Sequence, residues 1–190
     1  MTKLTQGQKE IRADSVIKVI GFDLDDTLWD VAPVIRSAEK TLSNWVISRF
    51  PQVKYGELQI KRARKKILQE DPAIGFQFTR MRKAILKEIF EASLKDPLTA
   101  EKLSQEGVEI FIQARSEVDL YPGVEQTLKK LSQNYELGII TNGNADITKL
   151  KISKYFSFSI TAEGVGVPKP QPEIFLAALK QTKVKSNEFV

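Results

Sequence analysis

Two rhythms of apolar and polar positions divide the sequence. From Val16 to Phe22 the chain is almost continuously apolar, interrupted only at Lys18; so short a run with this β-branched content predicts a buried strand. Pro33 to Asn44 then reads as a helix, and to about Ser116 the pattern stays helical. Apolar residues recur at spacings of three and four in Ile60–Leu68, in 78–90 (Met81, Ile85, Ile89) and in Val108–Ile112, with breaks at Pro51, Asp71-Pro72 and Asp96-Pro97. About four helices and no strand are expected there. At Leu120-Tyr121-Pro122-Gly123 the rhythm changes. Val124–Gln133 suits a helix, Tyr135–Thr141 a strand and Ala145–Tyr155 a helix. Phe156–Ala162 suits a short strand, and Pro172–Lys180 a helix with Phe175, Leu176 and Leu179 on one face. Such alternation predicts a parallel sheet covered on both sides. The fold class is therefore α/β: a Rossmann-like core formed by residues 16–32 and 119–190, interrupted by an all-helical insert at 33–118. Residues 1–15 are polar and read as loose.

The first strand ends in Asp23, Asp25 and Asp26, closed by Thr27. Ligands of open α/β sheets bind beyond the carboxyl ends of the strands. Alternation along an extended segment sends Asp23 and Asp25 one way and Leu24 back into the core. Two like charges held on one face are costly unless a cation or proton accompanies them. Asp26 and Asp30 suit turn or helix-capping roles instead. The second strand ends in Thr141-Asn142-Gly143-Asn144, a hydroxyl and amides. The Gly164–Pro170 loop then places Lys169 between Pro168 and Pro170.

Composition narrows the chemistry. The 190 residues contain no cysteine and no histidine, which removes thiolate and imidazole metal sites, disulfides and histidine general bases. Acid–base work falls to carboxylates, Lys or Tyr, and any metal takes oxygen ligands, as hard cations such as magnesium do. No G-x-x-x-x-G-K-[ST] occurs, which excludes a P-loop. No long apolar segment and no signal-peptide pattern is present, so a cytoplasmic protein without a membrane partner is expected. The net charge is +5, densest in Lys61–Lys66. Without interleaved aromatics this reads as a solvated helix face, and nucleic acid is not expected as a partner.

Taken in order, the acid pair, Thr141 and Lys169 resemble the three leading motifs of the haloacid dehalogenase-like (HAD) hydrolase superfamily. The helical insert resembles that family's class I cap. More narrowly, 22–30, Thr141–Ala145 and Lys169-Pro170 followed by Phe175 are similar to bacterial phosphatases of flavin-pathway and pyrimidine nucleotides. The resemblance implies a magnesium-dependent phosphomonoester hydrolase acting on a small phosphorylated metabolite. In it Asp23 is the nucleophile, forming an aspartyl-phosphate, and Asp25 the general acid and base. Asp23 and the Asp25 backbone carbonyl hold Mg2+, while Thr141, Asn142 and Lys169 bind phosphate. The family also carries a fourth motif, a further strand ending in acids. Asn187-Glu188-Phe189-Val190 reads as the start of that strand, so the chain is expected to stop short of those acids, with weakened metal binding, reduced activity and an uncovered sheet edge beside the first strand. A receiver-like phosphoacceptor domain and a non-catalytic fragment remain as alternatives. Trp29, Trp45, Phe76, Arg80 and Arg82 are candidates either for substrate contact or for packing, with packing favoured for the aromatics.

Overall fold

The structure, a computed structural model, describes residues 16–190; the expectation for 1–15 lies outside the described residues. Three parallel strands, β1 (Val19–Phe22), β2 (Glu136–Thr141) and β3 (Phe158–Thr161), form a sheet in the order β1-β2-β3. The register pairs Phe22 with Ile139 and Thr141 with Thr161, so the carboxyl ends of neighbouring strands open on one edge. Gly138 sits where a Cβ would collide with the Phe158 ring, and its absence lets β2 and β3 pack closely. Leu137 and Ile139 of β2 face one core with Leu24, Trp29 and Leu128; Ile140 faces another with Phe158, Ile160, Ile174 and Ala178. Both faces are thus buried, by α5 (Val124–Leu131) and by α7 (Pro172–Thr182) respectively. The outer edge of β1 is paired by the last residues: Lys18 N–H donates to Glu188 O, Val190 N–H to Val19 O and Gly21 N–H to Val190 O.

Between β1 and α5 the chain forms α1 (Val31–Arg49), α2 (Glu57–Glu70), a 3₁₀ turn at Pro72–Phe76, α3 (Phe78–Leu94) and α4 (Pro97–Arg115). Asp30 caps α1, and Asp96 caps α4 with Pro97 in its first turn, each carboxylate satisfying N–H groups that have no partner in the helix. In α1 the buried positions Val34, Ala38, Leu42 and Val46 fall one turn apart on a single stripe. The four helices share a core of their own, in which Trp45, Phe50 and Phe90 meet edge to face at centroid distances of 5.4–6.1 Å. Lys61, Arg62, Arg64, Lys65 and Lys66 stand exposed on α2, with Lys61 paired to Glu57 and Lys66 to Glu88. Among the described residues no helix is long and apolar enough to cross a membrane.

Several expected elements differ. Residues 145–155 form no α-helix but two 3₁₀ turns, Ile147–Lys149 and Ser153–Tyr155. Asp146 accepts from both the N–H and the hydroxyl of Thr148, and such local bonding competes with the helical ladder. The opening strand is shorter than expected, beginning at Val19, with Val16 exposed. In α7 the buried positions are Ile174 and Ala178, while Phe175 and Leu176 face solvent. The Gly/Pro segment also contains a short helix, α6 (Ala162–Val165).

Candidate active site

The residue after β1 is Asp23. Its Oδ1 accepts from the Leu24 N–H at 2.9 Å and lies 3.0 Å from the Lys169 ammonium. Lys169 also donates to the Ile140 carbonyl at 2.8 Å, which ties it to β2. Its backbone is held at both ends by one side chain: Asn142 Oδ1 accepts from Lys169 N–H at 2.7 Å, and Asn142 Nδ2 donates to Lys169 O at 3.1 Å. A backbone N–H can only donate, so this bond fixes which way the Asn142 amide faces. Asn142, expected as a phosphate ligand, thus also positions the lysine.

A tight turn then carries the chain past Asp25. Asp26 adopts φ 57°, a left-handed conformation that aspartate tolerates, and its Oδ1 accepts from Val31 N–H at 3.0 Å. Leu24 is buried in the core as alternation requires. Asp25 accepts from the Trp29 indole N–H at 3.1 Å and from Arg115 Nη2 at 2.5 and 2.6 Å to its two oxygens. Arg115 is the last residue of α4 and only 1% exposed. A buried charge persists only where it is paired, and Asp25 is that pair. The two carboxylates at the strand end thus have separate cations, Lys169 for Asp23 and Arg115 for Asp25.

Thr141 is buried at the end of β2, and its Oγ accepts from Gly143 N–H at 3.0 Å, leaving the hydroxyl hydrogen to donate elsewhere. A Cβ on Gly143 would collide with Asp25 Oδ2 and approach Thr141 Oγ to 3.3 Å. A side chain there would therefore displace the general-acid candidate.

Asp23, Asp25, Thr141, Asn142 and Lys169 thus meet at one corner. Trp29 and Trp45 are packing residues as expected, although Trp29 also contacts Asp25. Arg115 and Gly143 escaped the sequence reading. The available signal for Arg115 was its register: with Val108 and Phe111 it continues an apolar stripe at spacings of three and four, an unusual place for a charge.

Beside Asp25 and Gly143 opens a cavity of about 330 Å3 that extends under the helices past Phe78, Met81, Arg82 and Tyr55. Arg82 Nη2 forms an ion pair with Glu39 at 2.8 Å, and its guanidinium lies 3.4 Å from the Phe111 ring centroid. Burial, with the Glu39 charge adding to it, pushes the Tyr55 phenol up to about 12, against the opposing charge of Arg82. The helical layer is also tied to the sheet layer by Glu163, which accepts from Thr79 N–H at 2.9 Å and Arg80 N–H at 3.2 Å. Gln77 provides no side-chain cap for α3, so Glu163 supplies from outside the helix the acceptor its first turn lacks. Asn144 adds a bond to the Thr79 hydroxyl at 3.2 Å.

The donor set at the corner is all oxygen. Among the described residues no group of three His, Cys, Asp or Glu converges as a ready-made cage. Magnesium, however, is commonly held by one or two carboxylates together with waters and substrate phosphate oxygens. Asp23, whose Oδ2 takes part in no hydrogen bond among the described residues, and the Asp25 carbonyl fit that mode.

The sequence pattern of the haloacid dehalogenase-like hydrolases matches residues 17–190. The chain is 30% identical over 178 residues to 5-amino-6-(5-phospho-D-ribitylamino)uracil phosphatase YigB of Escherichia coli, covering 92% of this chain and 74% of that protein. It is 28% identical to glyceraldehyde 3-phosphate phosphatase of Pyrococcus abyssi, covering 91% and 71%. The crystal structure of 2-haloacid dehalogenase from Pseudomonas syringae pv. Tomato DC3000 superposes with a TM-score of 0.87 at 37% identity, covering 92% of this chain and 76% of that one.

Proposed function

The chain belongs to the haloacid dehalogenase-like hydrolases, and within that family we propose that it is a magnesium-dependent phosphomonoester hydrolase acting through an aspartyl-phosphate on a small phosphorylated metabolite. We assign residues 33–118 as its cap and residues 16–32 and 119–190 as its catalytic core. The observation that carries the reading is the pairing of two neighbouring carboxylates with different partners, Asp23 with Lys169 and Asp25 with Arg115 and Trp29. Asp23 attacks phosphorus in line, and the bond from phosphorus to the ester oxygen breaks. Asp25 is placed to pass a proton to the departing alkoxide and then to take one from the water that cleaves the acyl phosphate. Thr141 and Lys169 hold phosphoryl oxygens where charge accumulates. Asn142 keeps Lys169 in place through both of its backbone bonds. A magnesium ion on Asp23 and the Asp25 carbonyl would offset the repulsion between carboxylate and phosphate.

The likeness to a haloacid dehalogenase raises a second reading, displacement of halide from carbon by Asp23. Halide leaves without a proton, whereas an alkoxide needs one, and a second aspartate beside the nucleophile suits the alkoxide. The test is turnover of phosphomonoesters against 2-chloropropionate by the same preparation, with Mg2+ and with chelator. Magnesium-dependent phosphate release that vanishes in Asp23→Asn, with no chloride release, is the expected result. Chloride release without phosphate release would replace this function with the second. Among phosphates, the resemblance to the uracil phosphatase makes a flavin-pathway intermediate the first candidate.

A further inference from the structure

Lys169 lies at the far end of a segment, 161–170, that contains α6, Gly164, Gly166 and two prolines. Asn142 holds the lysine end of that segment through both backbone groups of Lys169. The opening end is held by Glu163, whose Oε1 accepts from Thr79 N–H at 2.9 Å and Arg80 N–H at 3.2 Å in the first turn of α3. The same turn reaches the other loop of the corner, since the Thr79 hydroxyl accepts from Asn144 Nδ2 at 3.2 Å. Apolar packing continues the contact. Phe76, in the 3₁₀ turn before α3, packs against the cluster of Ile160, Ala162 and Ile174, and Val165 of α6 packs against that cluster too. Gln77 gives α3 no side-chain cap. A carboxylate at a helix start bonds its orphan N–H groups and complements the positive end of the helix. Each element thus completes the other: α3 gains the acceptor its own sequence lacks, and segment 161–170 gains an anchor ahead of Lys169.

We propose that Glu163 is a positioning residue for Lys169, supported by Asn144: the corner binds phosphate well only while the first turn of α3 is seated on both loops. The inference rests on the phosphatase reading for what Lys169 binds. A lysine ammonium is a point charge on a flexible stem, so its reach depends on where its backbone is held. Asn142 alone leaves the segment anchored at one end, with two conformationally free glycines inside it. Glu163 closes the other end. An unseated segment binds phosphate poorly, so the apparent affinity falls with the seated fraction. The complex, once formed, is the same complex and turns over at the same rate. Loss of Glu163 therefore weakens binding and spares the chemical step. The coupling is reciprocal, so phosphate on Lys169 must in turn favour the seated turn of α3.

The test measures inorganic phosphate binding by calorimetry in the presence of Mg2+, and KM and kcat for p-nitrophenyl phosphate, on the full chain. Glu163→Ala should raise the phosphate Kd and the KM together, about three- to tenfold, and leave kcat within about twofold of the parent. Glu163→Gln keeps a side-chain carbonyl facing the two N–H groups and should recover most of that loss. Asn144→Ala should give a smaller change in the same direction. In a Lys169→Met background, Glu163→Ala should change the phosphate Kd no further, which separates positioning of that lysine from general loosening. Hydrogen exchange reads the coupling without turnover: phosphate should slow exchange of the Thr79 and Arg80 amides in the parent and not in Lys169→Met. Melting curves verify that each variant is folded, and Glu163→Asp, whose shorter side chain draws the carboxylate away from α3, serves as a second variant. An unchanged phosphate Kd in these folded variants, an equal loss in the Lys169→Met background, or a fall in kcat at unchanged KM overturns the inference and leaves the phosphatase intact. If the parent neither hydrolyses the ester nor binds phosphate, the phosphatase reading fails, and this inference with it.

Discussion

At the strand ends the two carboxylates each have a cationic partner, whereas on α3 and α4 the buried guanidiniums of Arg82 and Arg115 keep nitrogens without a hydrogen bond among the described residues. Asp23 has Lys169, Asp25 has Arg115 and Trp29, and Lys169 has Asn142 and Ile140. Arg82 is clamped at one nitrogen by Glu39 and left open at another. Reacting groups must be held in place before substrate arrives, because small misplacements cost large factors in rate. Sheet layers and inserted helices also divide the packing: the sheet layers bury short segments on two faces, while the four helices form a separate aromatic and aliphatic core. Arg115 crosses that division, reaching from the end of α4 to Asp25.

The sharpest way to break this comparison is Asp25→Asn. Loss of the general acid should reduce turnover of alkyl phosphates by roughly 10²–10⁴-fold, and turnover of p-nitrophenyl phosphate much less, since that leaving group departs readily without a proton. Steady-state rates with both esters below the melting temperature check this, and equal losses would remove Asp25 from the acid role. Arg115, left without a counter-charge, should also lower the melting temperature of this variant.

Phe90→Ala addresses the other region. Phe90 is fully buried between Trp45 and Phe50, and truncating such a ring costs about 3–5 kcal/mol. Chemical denaturation should show that loss, while phosphate-ester turnover measured well below the lowered transition stays close to the parent's. A matching collapse of turnover would show that the cap core and the strand-end corner are not separable.

The smallest effect concerns Tyr55. Its folded phenol titrates at about 12, against an ordinary value of 10.0, so the folded chain keeps a proton that the unfolded chain releases in between. Its stabilising contribution is complete below pH 10 and is lost as pH rises toward 12. Urea midpoints at the two ends of that window should fall more for the parent than for Tyr55→Phe. An equal fall would place the phenol in solvent, away from the cavity beside Arg82.

Much of the chemistry was legible in the chain because it depends on neighbours in sequence. The strand-end acids, the helix caps Asp30 and Asp96 and the four helices of the insert follow from periodicity and from local satisfaction of backbone N–H groups. The segment 145–155 misled because its apolar spacing is helical while Asp146 and Thr148 close a local turn instead. The bonds between Asn142 and the Lys169 backbone span 27 residues and leave no trace in local pattern.

The sequence by itself determined that Asp23 and Asp25 stand at the end of a buried parallel strand and that any metal there would take oxygen ligands, since alternation and the lack of His and Cys depend on nothing distant. Only the tertiary structure decided which cation serves which carboxylate, that Gly143 must leave room for Asp25, and that Arg82 and Arg115 share a cavity. Those are distances between side chains brought together from α1, α3, α4 and three loops, and packing across elements sets them, not the spacing of residues along the chain.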